Sequence, residues 1–242
     1  MTQSIAITIG VLALQGAFQE HLTYLETVIS QDEEKYSNYS FRIIPVKTKE
    51  VLFECSALVI PGGESSSMSY IAERTGLLPH LYEFVADESK AIWGTCAGLI
   101  FLSKQIRNGL KDQKCLGGLN IETNRNAFGR QLDSFVKELD FSKFISGCTD
   151  FLTVFIRAPV VTKVLTEPNS SRDLDKFIKS ENDYVNEAPV EVLYSLDNYD
   201  GDNNKLMVAV RQGRILGTSF HPELSDDHRF HQWFIDEFVL HI

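Results

Sequence analysis

No hydrophobic run in this 242-residue sequence approaches the roughly 18 residues of a membrane-spanning helix. Positive charge is scarce as well, because 23 lysines and arginines stand against 33 aspartates and glutamates, which gives a net charge of −10. Nucleic-acid binding depends on clustered cations that meet phosphates. The N-terminus has neither the basic start nor the small-residue cleavage site of a secretory signal. We therefore expect no membrane and no nucleic-acid partner.

Cysteine is also sparse. The four cysteines, Cys55, Cys96, Cys115 and Cys148, include no CxxC pair and have no metal-like spacing. This pattern predicts free thiols in a reducing compartment, and hence a cytoplasmic protein. We expect neither a metal nor a cofactor.

Short apolar runs alternate with longer amphipathic ones, which is typical of an α/β protein with a buried sheet. The second half of the chain is richer in strands separated by turn residues. These patterns predict a mixed, mostly parallel sheet flanked by helices on both faces. Residues 1–242 contain no repeat and no linker, so we expect a single domain. The polar segments 31–40 and 166–189 are expected to be surface loops inserted into it.

Four segments carry the most specific predictions of secondary structure. "AIWGTC" (residues 91–96) predicts a strand, and "AGLIFLSKQI" (97–106) predicts the helix that follows it. An earlier helix is predicted for "AFQEHLTYLETVI" (17–29) and a closing helix for "DHRFHQWFIDEFVLHI" (227–242).

The pentapeptide Gly94-Thr95-Cys96-Ala97-Gly98 fits G-x-C-x-G, the cysteine version of the strand–turn–helix nucleophile elbow. A nucleophile on such a tight turn has a strained backbone, and its neighbours must be small for the turn to close. The positive end of the next helix favours the reactive thiolate. The alternative is a core cysteine between chance glycines.

A cysteine nucleophile needs a base, and His221 is the best candidate among the six histidines because it directly follows the strand "RILGTSF". Residues beyond the carboxyl ends of parallel strands gather at one sheet edge, so Cys96 and His221 are expected to meet there. Glu223 can accept the imidazole N–H and fix its tautomer. The alternative is a surface glutamate at a strand end.

The remaining histidines are not expected to take part in the site. His21, His80 and His241 are predicted to be surface or boundary residues. His228 and His231 are predicted to lie on a solvated face of the closing helix, since no further metal ligands cluster near them.

An oxyanion hole completes such a site. The amide of Ala97, directly after the nucleophile, is one expected donor. The second can come from "PGGESSSM" (residues 61–68), where Gly62 and Gly63 allow the backbone to approach a ligand closely. The segment lacks the G-K-[ST] ending of a phosphate loop. A simple tight turn is the alternative.

Taken together, several stretches resemble one family, the glutaminase subunits of pyridoxal 5'-phosphate synthase (PdxT/Sno type), which are class I glutamine amidotransferases. The matching pieces, in chain order, are "GVLALQGAFQEH", "VIPGGESSSM", "GTCAGLIFL", "RNAFGRQLDSF", "FIRAP" and "GTSFHPELSDDHRFH". The resemblance implies a flavodoxin-like three-layer sandwich. It also implies hydrolysis of L-glutamine by Cys96, with His221 as the base and Glu223 as its orienting carboxylate.

The resemblance implies substrate contacts residue by residue. They are Gly63, Glu64, Ser65, Arg125, Ile156 and Arg157. A free amino acid needs a cation for its α-carboxylate and an acceptor for its ammonium, and Arg125 and Glu64 could supply them.

The resemblance further implies a separate (β/α)8-barrel synthase that takes the ammonia. The region of Gly62 and Gly63 would be misaligned until that partner docks, with Gln15 near the contact. Three alternatives stay open on the sequence: a glutaminase that serves another synthase, a catalytically silent subunit with this fold, and a cysteine peptidase or γ-glutamyl hydrolase.

Overall fold

A computed structural model describes residues 4–125, 134–167, 177–197 and 205–241. Within these ranges, eleven strands form one mixed sheet with helices on both faces, and a separate hairpin forms a second, two-stranded sheet. The predicted α/β class is confirmed.

The strands are numbered β1 to β13 in chain order. They are Ile5–Leu12, Tyr39–Val46, Ala57–Ile60, Ala91–Thr95, Ser103–Arg107, Leu119–Asn124, Ser134–Leu139, Phe151–Ile156, Val160–Val164, Phe177–Lys179, Val190–Leu196, Leu206–Gln212 and Ile215–Thr218. The α-helices are numbered α1 to α6. They are Phe18–Gln31, Lys49–Phe53, Ser65–Arg74, Leu78–Ala86, Ala97–Leu102 and Arg229–Trp233. A 3-10 turn spans Pro222–Leu224, and a π-helical segment, Phe234–Leu240, continues α6.

The strand order in the large sheet is β10-β5-β6-β9-β12-β13-β4-β3-β1-β2, and β11 pairs with β12. The five strands β2, β1, β3, β4 and β13 all run parallel to their neighbours within this group. Their carboxyl ends therefore lie at one edge, where α/β proteins bind ligands. The pairing of β4 with β13 sets Thr95 beside Thr218, so the residues that follow these two strands emerge next to each other.

The central parallel strands are covered on both faces. Every residue of β3 and β4 is buried, which explains their continuous apolar sequence. Val59 and Trp93 belong to the core on the face covered by α1 and α6. Leu58 and Ile92 point into the core on the opposite face, under α3, α4 and α5. The alternation of side chains along a strand thus produces the three layers.

Two predicted helices were partly wrong. The helix predicted over residues 97–106 ends at Leu102, and Ser103–Arg107 forms β5, which pairs with both β6 and β10. Strand pairing overrides the helical apolar pattern of this short segment. The closing helix exists, but it changes to π-helical geometry after Trp233. In the described ranges, none of the helices has both the length and the hydrophobicity that a membrane span requires.

The two polar segments differ in structure. Residues 32–38 form the turn between α1 and β2, and Tyr36 in that turn is buried. Of the segment 166–189, residues 168–176 lie outside the described residues. The rest includes β10, which the prediction of a surface loop omitted, and Asn186, which is buried against Gly118.

Candidate active site

Cys96 directly follows β4 and is the residue from which α5 begins. Its backbone has φ 48° and ψ −102°, a conformation that residues other than glycine rarely adopt. Its amide donates a 2.8 Å hydrogen bond to the carbonyl oxygen of Thr218 on the neighbouring strand. This strained backbone is held by the surrounding structure, as is common at functional sites.

The glycines that flank Cys96 are required by close backbone contacts. A Cβ atom on Gly98 would lie 2.0 Å from the carbonyl oxygen of Ile60, at the end of β3. A Cβ on Gly94 would lie 2.6 Å from the backbone of Gly98 itself. The G-x-C-x-G pattern therefore allows the turn at Cys96 to pack directly against the neighbouring strand.

His221 lies three residues beyond β13, and its amide is fixed by a 2.9 Å hydrogen bond to the carbonyl oxygen of Val154. Its Nδ1 lies 2.8 Å from Oε1 of Glu223, and both side chains are almost fully buried. His221 and Cys96 line the same cleft, and Cys96 is one of the groups that raise the pKa of His221. Since Nδ1 is occupied by the carboxylate, Nε2 is the nitrogen that remains for the thiol.

These contacts determine the charge of the imidazole. Burial lowers the pKa of His221, but the hydrogen bonds and charges of Cys96 and Glu223 outweigh burial and raise the pKa to about 10. Burial raises the pKa of Glu223, but the electrostatic attraction of His21 and His221 and a hydrogen bond from His221 leave it below its ordinary value. Both shifts favour the charged forms of the pair, an imidazolium beside a carboxylate.

The loop after β3 packs against this imidazole. A Cβ on Gly62 would lie 2.3 Å from Cε1 of His221, so only glycine fits there. The next residue, Gly63, has φ 145°, and a Cβ on it would lie 2.0 Å from Oε1 of Gln15. That same oxygen accepts a 2.9 Å hydrogen bond from the amide of Glu64. The loop carrying Gln15, which follows β1, therefore supports the glycine turn.

Glu64 caps α3. Its carboxylate accepts hydrogen bonds from the amides of Ser66 and Ser67 and from the Ser66 hydroxyl, and it lies 2.9 Å from Nη2 of Arg125. Burial raises its pKa, but the hydrogen bonds from the two serines prevail and lower the pKa to about 2. Glu64 and Arg125, the residues expected to bind the two charged ends of an amino acid, form an ion pair with each other.

A cleft of about 280 Å³ opens above Cys96. Its lining contains most of the residues that the sequence predicts: Gly63, Glu64, Ser65, Cys96, Ala97, Arg125, Ile156, Arg157 and His221, together with Ile100. Glu223 lies behind His221, and Gln15 lies behind Gly63. The rest of the "RNAFGRQ" stretch, residues 126–131, falls outside the described residues.

Gln113 is a residue at this site that the sequence did not reveal. Its side chain is buried, accepts a 3.1 Å hydrogen bond from Nη1 of Arg125, and donates one of the same length to the hydroxyl of Ser65. It thereby connects two residues that line the cleft. The polar stretch "LKDQKC" contains no pattern that distinguishes Gln113 from its neighbours.

The predictions for His21 and His231 were wrong, since both side chains are fully buried. Nε2 of His21 lies 3.4 Å from Oε2 of Glu223, and Nδ1 of His21 lies 2.8 Å from Nε2 of His231. The helical spacing could have shown this. His21 shares one face of α1 with Leu25 and Val28, and both of these are buried.

The four cysteines are free. Among the residues that the structure describes, no group of three or more His, Cys, Asp or Glu side chains is arranged to hold a metal ion.

Comparison with known proteins assigns this chain to one family. The model of the SNO glutamine amidotransferase family matches residues 11–184 and 177–240. The chain is 48% identical over 236 residues to the probable pyridoxal 5'-phosphate synthase subunit SNO3 of Saccharomyces cerevisiae, covering 97% of each chain. It is 40% identical over 230 residues to the pyridoxal 5'-phosphate synthase subunit PdxT of Herpetosiphon aurantiacus, covering 95% of this chain and 99% of the relative.

A solved structure supports the same assignment. The crystal structure of a glutamine amidotransferase is 37% identical to this chain, with a TM-score of 0.68, and the match covers 94% of this chain and 96% of that one. The resemblance identified in the sequence is thereby confirmed, and this chain belongs to the SNO glutamine amidotransferase family.

Proposed function

We propose that this chain hydrolyses L-glutamine to L-glutamate and ammonia through Cys96, His221 and Glu223, and that the ammonia passes to a pyridoxal 5'-phosphate synthase partner. The observation that carries the proposal is the position of His221. Its Nδ1 lies 2.8 Å from Glu223, and its ring lines the same open cleft as Cys96. Membership of a glutamine amidotransferase family supports the choice of substrate.

In the first half of the reaction, the sulfur of Cys96 attacks the side-chain carboxamide carbon of glutamine. His221 takes the thiol proton, and the contacts with Cys96 and Glu223 that raise its pKa favour this transfer. His221 then donates this proton to the amide nitrogen as the C–N bond breaks, and ammonia leaves. A γ-glutamyl thioester on Cys96 remains.

In the second half, water attacks the thioester carbon. His221 is neutral after its proton has left with the ammonia, so it takes a proton from the water. The C–S bond breaks, glutamate is released, and the sulfur of Cys96 regains its place beside the protonated imidazole. Glu223 stabilises the imidazolium in both halves and keeps Nε2 directed at the sulfur.

The negative oxygen that forms in each half needs hydrogen-bond donors. We assign these donors to the amide of Ala97, directly after Cys96, and to the turn at Gly62 and Gly63, whose backbone lies against His221. Losing one such donor typically costs about 10²–10³ in rate.

The α-carboxylate of glutamine needs a cation, and Arg125 lines the same cleft as Cys96. Arg125, positioned by Glu64 and Gln113, is the cation for its α-carboxylate. Gly63, Ser65, Ile156 and Arg157 also line this cleft and complete the proposed substrate contacts.

The partner enters the proposal through the names of the relatives, which are subunits of pyridoxal 5'-phosphate synthase. We propose a barrel-shaped synthase that docks near Gln15. The side-chain oxygen of Gln15 accepts a hydrogen bond from the amide of Glu64. A synthase that contacts Gln15 would therefore act directly on the glycine turn. A cytoplasmic location remains part of the proposal.

Glutamate release in the presence and absence of the synthase subunit tests the function. We expect turnover that rises when the synthase is added and is lost in Cys96→Ala. Cys148→Ala, which removes another buried thiol, is the matched control and should retain turnover. Unchanged turnover in Cys96→Ala would refute the catalytic assignment. Partner-independent hydrolysis of γ-glutamyl peptides would favour the γ-glutamyl hydrolase alternative.

A further inference from the structure

A row of buried polar groups continues behind Glu223. One carboxylate oxygen, Oε1, is taken by His221, whereas Oε2 is buried and has no hydrogen-bond partner among the described residues. Nε2 of His21, on helix α1, lies 3.4 Å from this oxygen. This distance exceeds that of a well-formed hydrogen bond, so the attraction is mainly between the carboxylate charge and the imidazole dipole.

We infer that His21, held by His231, is a positioning residue that fixes the carboxylate of Glu223 and through it the orientation of His221. The inference rests on the proposed function, because it assigns a role within that same site. Both histidines are fully buried, yet neither contacts the cleft. Their effect would reach the reacting atoms only through Glu223.

The protonation state of His21 follows from its surroundings. Burial lowers its pKa, and the nearby charge of Glu223 offsets this only in part; His221 lowers it further and Glu20 raises it. Burial, together with His21 and His228, keeps the pKa of His231 well below its ordinary value. Both rings are therefore neutral at physiological pH, and each carries one N–H.

The tautomers follow from the available partners. If His21 carries its proton on Nε2, that N–H faces the carboxylate of Glu223 and the hydroxyl of Thr95, which is also 3.4 Å away. Nδ1 of His21 then accepts the 2.8 Å hydrogen bond from Nε2 of His231. The other nitrogen of His231 has no partner among the described residues, which suits a bare lone pair.

The opposite arrangement is unfavourable at both ends. A proton on Nδ1 of His21 would leave a lone pair facing the Glu223 carboxylate. It would also force His231 to carry its proton on a buried nitrogen without an acceptor. His231 therefore selects the tautomer of His21 that supports Glu223.

Substitutions at position 21 separate positioning from packing. In His21→Gln the amide N–H reaches the place of Nε2, whereas in His21→Asn it reaches only that of Nδ1; both remain polar and of similar size. His80→Asn, which changes a partly exposed histidine far from the cleft, is the control. Thermal unfolding monitors folding in all three variants, and His21→Leu provides a fully apolar comparison where it folds.

Two readouts are used with the full chain. For glutamine turnover with the synthase, we expect kcat to fall by about 10²-fold in His21→Asn with little change in KM, and to be largely retained in His21→Gln. For iodoacetamide alkylation of Cys96 without any partner, we expect the pH midpoint to shift in His21→Asn and to stay near the original value in His21→Gln and His80→Asn.

The inference is overturned if folded His21→Asn shows the original kcat and alkylation midpoint. It is equally overturned if His21→Gln and His21→Asn lower kcat and shift the alkylation midpoint to the same extent. That result would mean that His21 has a purely structural role. Its failure is distinct from that of the proposed function. If the unmodified chain turns over no glutamine, the proposed function is refuted. The alkylation profile would still report whether His21 positions the Cys96–His221 pair.

Discussion

The backbone amide of Cys96 donates a 2.8 Å hydrogen bond to the carbonyl oxygen of Thr218. This contact continues the parallel pairing of β4 with β13 by one residue beyond their last paired positions, Thr95 and Thr218. After β4 the chain turns at Cys96 into α5. After β13 it continues for three residues to His221. The pairing of two strands thus brings together two side chains that are 125 residues apart in the sequence.

Because Gly98 lies so close to Ile60, adding one methyl group at position 98 is expected to reduce both stability and activity. In Gly98→Ala, the added Cβ would lie 2.0 Å from a backbone oxygen, so β3 and the Cys96 turn must separate. We expect a loss of about 1–3 kcal/mol in the free energy of unfolding. We also expect loss of most glutamine turnover, because the turn at Cys96 moves.

Gly76→Ala is the matched control for Gly98→Ala. Gly76 has φ 73° and open space around it, so alanine there costs roughly 1–2 kcal/mol through backbone strain alone. Denaturant unfolding and turnover of the folded protein are measured for both variants. Equal turnover in the two would contradict the role assigned to the close packing at the elbow.

Removing the charge of Glu223 is expected to change the pH dependence of kcat. In Glu223→Gln the charge that helps to hold the pKa of His221 near 10 is removed, so the imidazole loses its proton at lower pH. We expect kcat to fall by about 10²–10⁴-fold. The alkaline limb of the pH–kcat profile should move to lower pH, since the proton required by the leaving ammonia is lost sooner.

The same shift affects stability. A raised pKa in the folded state stabilises the protein fully below the ordinary value of 6.5, and this contribution is lost as the pH rises through about 10. Glu223→Gln should therefore lose less of its free energy of unfolding over that range than the unmodified chain does. Glu138→Gln, at an exposed site, should behave as the unmodified chain in both measurements.

Cys96 and His221 could be predicted from the sequence because each follows a recognisable strand at the same sheet edge. Strand ends give no information about His21 and His231, which lie on helices, and only the spacing of His21 with Leu25 and Val28 indicates burial. Their burial depends on the packing of α1 against α6, a contact between distant parts of the chain. Ser103–Arg107 was missed for a similar reason, because its strand exists through pairing with β6 and β10.

A substitution of Arg125 is expected to raise KM for glutamine while leaving kcat nearly unchanged. Arg125→Lys keeps the charge but loses the forked geometry that contacts Gln113 and Glu64 together. A hydrogen bond to a charged group contributes about 1.5–3 kcal/mol, so we expect KM for glutamine to rise by about 10–100-fold. kcat should change much less, because Arg125 is assigned to the α-carboxylate of glutamine and not to its side-chain amide.

Arg107→Lys is the control for Arg125→Lys. Arg107 pairs with Glu122 outside the cleft, so its replacement should leave both kinetic constants unchanged. Steady-state kinetics of glutamate release with saturating synthase make the comparison. An unchanged KM in Arg125→Lys would remove Arg125 from the proposed substrate site.

Glu64 is expected to make the free energy of unfolding depend on pH in the acid range. Its pKa is about 2 in the folded chain against an ordinary value of 4.5, because the hydrogen bonds from Ser66 and Ser67 overcome the opposing effect of burial. A lowered pKa stabilises the folded state above 4.5, and this contribution is lost as the pH falls towards 2. Glu64→Gln should therefore show a weaker decline in the free energy of unfolding over that interval, as measured by urea titration. An identical decline in both proteins would mean that the cap on α3 does not stabilise the fold.

The most direct measurement of the central claim is a single-turnover reaction of the chain and its synthase partner with glutamine, stopped in acid and analysed by peptide mass spectrometry. A γ-glutamyl group should appear on the peptide that contains Cys96, before glutamate accumulates, and should be absent in Cys96→Ala. Release of glutamate with no acyl group on Cys96 at any time, or with the group on Cys55, Cys115 or Cys148, would contradict the account.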